Sequence, residues 1–164
     1  MAEPAQPIQA SGEGRQSAPL IAEVFRWPVR IYWEDTDAGG IVFYANYLKF
    51  FERSRTEWLR SLGIEQQRLR DSTGGMFVVT ETSTKYRRAA RLDDELIVTA
   101  SLIELGRASL IIRQQALLKS EHATGQTPAV LLCEGRIKIG WVDAQALRPA
   151  RIPDFIVSRL RTPP

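Results

Sequence analysis

A single long helical segment stands in a chain that otherwise reads as strands, and that order limits the folds open to it. Across residues 46–62, Leu48, Phe51, Arg55, Trp58, Leu59 and Leu62 recur at intervals of three and four, laying one largely apolar stripe along a helix. Asn46 is placed to cap its start and Gly63 to close its end. Residues 29–34, rich in β-branched and aromatic side chains, predict a strand before it. Residues 64–70 predict a short second helix and 71–75 a loop. Four strands follow, over 76–86, 96–105, 108–119 and 130–142. Leu105, Gly106 and Arg107 form a short hairpin connection, and residues 120–128 a longer polar one. The segment 148–160, carrying Pro149 and Pro153, predicts a short closing helix. Strand, helix, then four strands at hairpin spacing is an α+β pattern: an antiparallel sheet with one long helix packed on a face.

Composition narrows the chemistry. The 164 residues are 44% hydrophobic and 25% charged, a globular balance with room for one core. We expect a single domain over 27–160, a disordered tail over 1–26 without the apolar stretch of a signal peptide, and a short tail over 161–164. The net charge of +3 is too small and too dispersed to argue for nucleic acid. No run approaches the length of a membrane span. One cysteine, Cys133, rules out an intrachain disulfide and suits a reducing compartment, so a cytoplasmic protein is expected. The one histidine, His122, lies in the polar 120–128 stretch, so a Ser-His-Asp or Cys-His arrangement would depend on it alone. A zinc site with the usual ligands would have only His122 and Cys133. No phosphate-loop or dinucleotide-binding glycine pattern is present. If the chain is an enzyme, its chemistry rests on carboxylates and backbone, with no metal or cofactor.

One stretch carries that chemistry. Glu34-Asp35-Thr36-Asp37 runs into Ala38-Gly39-Gly40 and then Phe43-Tyr44-Ala45-Asn46-Tyr47, where the helix begins. A carboxylate is thereby set beside the free N–H groups of a helix start, which is enough equipment to cleave an activated acyl group. Asp37 is the candidate catalytic residue, since a carboxylate can attack a thioester carbonyl or activate water against it. Asp35, two residues earlier, would face the same side if the strand were still extended there. Its more ordinary role is to hold the loop through backbone hydrogen bonds. Tyr44 enters as a packing aromatic whose backbone N–H lies where an oxyanion donor would be. Glu52, among apolar helix residues, is expected in an ion pair with Arg53, Arg55 or another arginine. The run from Lys85 through Tyr86, Arg87 and Arg88 to Arg91 is either a solvated rim or, through Arg87 and Arg88, a site for the phosphates of a nucleotide-bearing ligand.

Asp35 to Val42, Tyr44 to Tyr47 and Phe51-Glu52-Arg53-Ser54-Arg55 together resemble the hotdog-fold acyl-CoA thioesterases of the 4-hydroxybenzoyl-CoA thioesterase type. The likeness is greater to the Tol–Pal-associated bacterial acyl-CoA thioesterase branch. Val79-Thr80-Glu81-Thr82, Lys85-Tyr86-Arg87, the stretch from Ala90 to Leu96 and Arg151-Ile152-Pro153 extend it over most of residues 29–160. The resemblance implies a curved antiparallel sheet wrapped around the long helix. It also implies a homodimer or homotetramer with an acyl-CoA site between subunits, hydrolysing the thioester to free acid and CoA. The acid matching Asp37 would be the catalytic carboxylate, and the N–H near Tyr44 would polarise the carbonyl. The chain departs from the branch in carrying Tyr44 where many members have His, and Ala89 where Pro is frequent.

Two rival readings remain. The same fold could be a non-catalytic or weakly catalytic module that docks on acyl carrier protein or an envelope-associated complex. Retention of Asp37 with Gly39 and Gly40 favours catalysis, since a docking module has no need of that acid. A dehydration reaction on the same fold usually needs a histidine, which only His122 could supply.

Overall fold

The computed structural model describes residues 24–119 and 129–161. In chain order the elements are β1 (Phe25–Arg30), a 3-10 turn (Trp33–Asp35), α1 (Asn46–Ser61), α2 (Gln66–Thr73), β2 (Gly75–Tyr86), β3 (Glu95–Leu105), β4 (Ser109–Leu118), β5 (Val130–Asp143) and α3 (Asp154–Arg161). The strands form one antiparallel sheet in the order β1-β3-β4-β5-β2. The α+β pattern expected from the sequence is therefore present, with β1 and β2 as the two edges. Register irregularities at Val79/Glu81, Leu102/Glu104 and Ala116/Leu117 bend β2, β3 and the β4–β5 pair.

Helix α1 lies on the sheet through Tyr47, Phe50, Phe51, Ser54, Trp58 and Leu59, all buried. The stripe read in the sequence holds at Phe51, Trp58, Leu59 and Leu62, all buried, but Leu48 leaves it at 41% exposed, and Phe50 takes its place inside. The helix comes close because Gly135 on β5 lies beneath it, where an added Cβ would sit 2.9 Å from the Phe51 ring. Polar bonds fix the helix along its length. Gln114 of β4, fully buried, donates to the Phe51 carbonyl at 2.9 Å and accepts from Arg55 at 2.8 Å, while Ser54 donates to the Val98 carbonyl. Burial lowers the pKa of the Arg55 guanidinium. Gly63, with φ +71°, closes α1 as expected, and Arg159 of α3 donates to its carbonyl at 2.6 Å.

Three local expectations fail for identifiable reasons. The first strand occupies residues 25–30 rather than 29–34, and Phe25 and Arg26, assigned to the tail, pair with Ala100 and Thr99. The chain then leaves the sheet because the Asp35 carboxylate accepts the Tyr32 N–H at 3.0 Å and folds Trp33–Asp35 into a 3-10 turn, overriding the strand preference of its aromatic residues. The 71–75 loop is instead the end of α2, where Ser72 and Thr73 bond back to the Leu69 carbonyl before Gly74 ends the helix at φ +67°. Ala45, not Asn46, is the N-cap of α1, because the Asn46 amide is committed to the Asp35 carbonyl. Residues 1–23 of the expected N-terminal tail, the 120–128 loop with His122, and residues 162–164 lie outside the described residues.

Candidate active site

The residues leading into α1 form a tight loop pinned at its neck. The Asp37 N–H donates to the Ile41 carbonyl at 2.9 Å, and the Gly40 N–H returns to the Asp37 carbonyl at 3.0 Å. Isolated bridges from Thr36 to Val42 and from Ile41 to Arg91 fix the neck and join it to the segment before β3. Gly40 takes φ +72°, a conformation that suits glycine, so the reversal fits this sequence.

Asp37 is exposed at the start of this loop. Its Oδ1 accepts the Gly39 N–H at 2.8 Å, and among the described residues its Oδ2 has no hydrogen-bond partner. One oxygen is thus anchored and the other is available. Asp35 does the opposite. It is 5% exposed, its carboxylate accepts the Tyr32 N–H, and its carbonyl accepts both the Phe43 N–H and the Asn46 side-chain amide at 2.9 Å. The 3-10 turn is what separates the two acids. A strand would have turned them to one side, whereas here Asp35 faces inward as a brace and Asp37 faces solvent.

Beyond the loop the chain passes Phe43 and enters α1. Among the described residues, neither the Tyr44 N–H nor the Ala45 N–H donates a hydrogen bond. These are orphan donors at the positive end of a sixteen-residue helix, where an oxyanion is favoured. The Tyr44 ring is 61% exposed and packs against Phe43 and, edge-on at 6.1 Å, Tyr86. Tyr86 in turn meets Tyr47 at 5.8 Å, so an aromatic cluster flanks the helix entrance. Burial, foremost, raises the pKa of the Tyr47 and Tyr86 phenols and keeps them protonated.

The basic run divides. Arg87 is bound to Glu134 at 2.6 Å across to β5, while Arg88 is exposed and has no ion-pair partner among the described residues. Glu52 forms no ion pair among the described residues; its carboxylate accepts the Thr56 hydroxyl at 2.7 Å. Cys133 is buried, and burial pushes its thiol up to about 12, which marks it as structural. Among the described residues, no three His, Cys, Asp or Glu side chains gather as a metal site would need. The sequence reading passed over Tyr47, whose hydroxyl accepts the Ala90 N–H at 2.9 Å. Its spacing of three from Phe50 marks it as a buried helix residue, but nothing local marks its partner.

Comparison with known proteins places the chain among relatives. A family model described as Thioesterase-like superfamily matches residues 31–160. The acyl-CoA thioesterase YbgC of Haemophilus influenzae is 38% identical over 134 residues, which are 82% of this chain and 92% of that protein. The acyl-CoA thioester hydrolase YbgC of Escherichia coli O6:H1 is 37% identical over 138 residues, 84% of this chain and 96% of that one. The crystal structure of a 4-hydroxybenzoyl CoA thioesterase mutant complexed with 4-hydroxybenzoyl CoA superposes with a TM-score of 0.77 at 17% identity, covering 85% of this chain and 99% of that one.

Proposed function

The chain belongs to the thioesterase-like superfamily, and from that premise we propose that it hydrolyses acyl-CoA thioesters to free acid and CoA with Asp37 as the catalytic carboxylate. Its sheet and long helix make the hotdog fold. The observation that carries the assignment is a pairing across one short loop. Asp37 has an available oxygen, and the Tyr44 N–H is without a partner among the described residues. The Tyr44 N–H, aided by that of Ala45, stabilises the oxyanion that forms when the thioester carbonyl is attacked. The available Asp37 oxygen either adds to the carbonyl carbon itself or takes a proton from the attacking water. In both cases the C–S bond breaks and CoA leaves as a thiolate, which recovers a proton. In the water route that proton is the one Asp37 took; in the direct route the thiolate takes its proton from solvent, and water then hydrolyses the acyl–Asp37 anhydride to release the free acid and restore the carboxylate.

Of Arg87 and Arg88, the one free to meet the CoA phosphates is Arg88, since Arg87 is held by Glu134. A homodimer or larger homo-oligomer is supported by β2, a twelve-residue edge strand with most of its residues exposed and one side unpaired among the described residues. Long uncovered edges of this kind invite a second copy. No described helix is long and apolar enough to cross a membrane. The lone buried Cys133 supports a reducing compartment such as the cytoplasm as the place of work.

The test is a steady-state assay of purified protein, following thiol release from acyl-CoAs of graded chain length and from one aromatic acyl-CoA. Turnover of at least one series is expected. No turnover of any, by a protein that binds acyl-CoA, would favour the docking module instead.

A further inference from the structure

We propose that Tyr47 is a positioning residue, its buried hydroxyl fixing the Asp37 loop relative to the helix entrance that carries the Tyr44 N–H. The two halves of the site lie on one stretch of chain, but sequence proximity does not hold them at a working separation. Tyr47 is in the first turn of α1, three residues past Tyr44, and is 2% exposed. Its hydroxyl accepts the N–H of Ala90, a residue with no exposure at all. The Ala90 carbonyl accepts the Val42 N–H at 2.9 Å, and neighbouring Arg91 bridges Ile41. Ile41 in turn accepts the Asp37 N–H at 2.9 Å. A continuous path of main-chain bonds therefore runs from the Tyr47 hydroxyl to the backbone of Asp37, by way of a segment forty-three residues distant. Asn46 braces the same region through the Asp35 carbonyl but reaches only the near side of the loop. The Ala90 bond is the one that engages the far side.

Burial raises the pKa of the Tyr47 phenol, so the ring stays neutral across the working range and keeps its acceptor role. Among the described residues the phenol makes no hydrogen bond with the available Asp37 oxygen or the Tyr44 N–H, so its effect is on position and not on chemistry. A ring without the hydroxyl would fill the same space against Phe50 and Tyr86 while leaving the Ala90 N–H without its acceptor.

The inference rests on the proposed roles of Asp37 and Tyr44, and a double-mutant cycle separates its failure from theirs. Tyr47→Phe, Asp37→Asn and the double variant are assayed for kcat and KM on one acyl-CoA, with Ile156→Val on α3 as a packing control. Tyr47→Phe is expected to fold, to lose about tenfold or more in kcat with KM within about twofold, the scale of a small misplacement of reacting groups. Ile156→Val keeps its kcat. In the Asp37→Asn background, adding Tyr47→Phe costs nothing further, because the group it positions is gone. An unchanged kcat in Tyr47→Phe, an equal loss in both backgrounds, or a variant unable to fold would overturn the inference while leaving the Asp37 assignment standing. An active Asp37→Asn would instead remove the assignment on which the inference rests.

Discussion

Gly39 donates its N–H to Oδ1 of Asp37 at 2.8 Å, and a Cβ on that glycine would lie 3.1 Å from the same oxygen. The carboxylate and the glycine are therefore fitted to each other. Gly39→Ala forces either the loop or the carboxylate to give way, and we expect kcat to fall by about tenfold, on the scale of misplacing a reacting group. Gly40→Ala makes the comparison. Its φ of +72° strains any L side chain, but no atom lies within 4 Å of the added Cβ. It should cost about 1 kcal/mol of stability and leave kcat nearly unchanged. The measurement is kcat alongside urea unfolding for the two variants. A larger kcat loss in Gly40→Ala would show that loop conformation, not the contact with Asp37, is what matters.

Tyr44→Phe should keep most of its activity. The part assigned to position 44 is its backbone N–H, and the ring contacts with Phe43 and Tyr86 survive loss of the hydroxyl. A hundredfold fall in kcat with normal unfolding would bring the hydroxyl into the chemistry.

Arg88→Ala should raise KM for acyl-CoA while leaving kcat unchanged, because phosphate contacts far from the reacting carbon are equally strong in ground and transition states. An exposed charge-assisted contact is worth about 1 kcal/mol, or roughly a three- to tenfold change. Arg87→Ala should act differently. It strands Glu134, whose side chain is only 18% exposed, so its main cost falls on stability. A truncated thioester lacking the nucleotide should be insensitive to Arg88→Ala. Equal losses on both substrates would return Arg88 to a solvated rim.

Alkaline pH should destabilise the fold through Cys133. Its thiol is raised to about 12 in the folded protein, against roughly 8.5 when unfolded. The unfolded chain therefore loses that proton first. The associated stability is complete below the unfolded value and is lost as pH climbs toward 12, at no more than about 1.4 kcal/mol per unit. Tyr47, also raised, adds the same sign at higher pH. Urea unfolding between pH 7.5 and 10.5 should show this decline, flatter in Cys133→Ala, and iodoacetamide should label native protein slowly and unfolded protein fast. Rapid native labelling would contradict a buried, protonated thiol.

What could be read from the sequence followed from how local each signal was. The Asp37, Gly39 and Gly40 loop and the orphan N–H groups of Tyr44 and Ala45 lie within residues 37–45, and their chemistry depends on residue type and order. Strands β2 to β5 were visible because their apolar and β-branched content is continuous. The bonds across the fold were not visible. Tyr47 to Ala90 and Arg87 to Glu134 join residues forty-three and forty-seven positions apart, and nothing in either local sequence names its partner. The loop-holding role of Asp35 was legible from its residue type, but the early end of the first strand was not: strand preference described residues 31–33, and one carboxylate bond to the Tyr32 N–H decided their conformation.

The most direct test of the account is the steady-state kcat of Asp37→Asn on an acyl-CoA that the unaltered protein turns over. Asparagine retains the oxygen that accepts the Gly39 N–H, so the loop and the unfolding midpoint should be preserved. It cannot act as nucleophile or base, and kcat should fall by about a hundredfold or more. A folded Asp37→Asn variant that keeps most of its kcat would show that the hydrolytic carboxylate lies elsewhere.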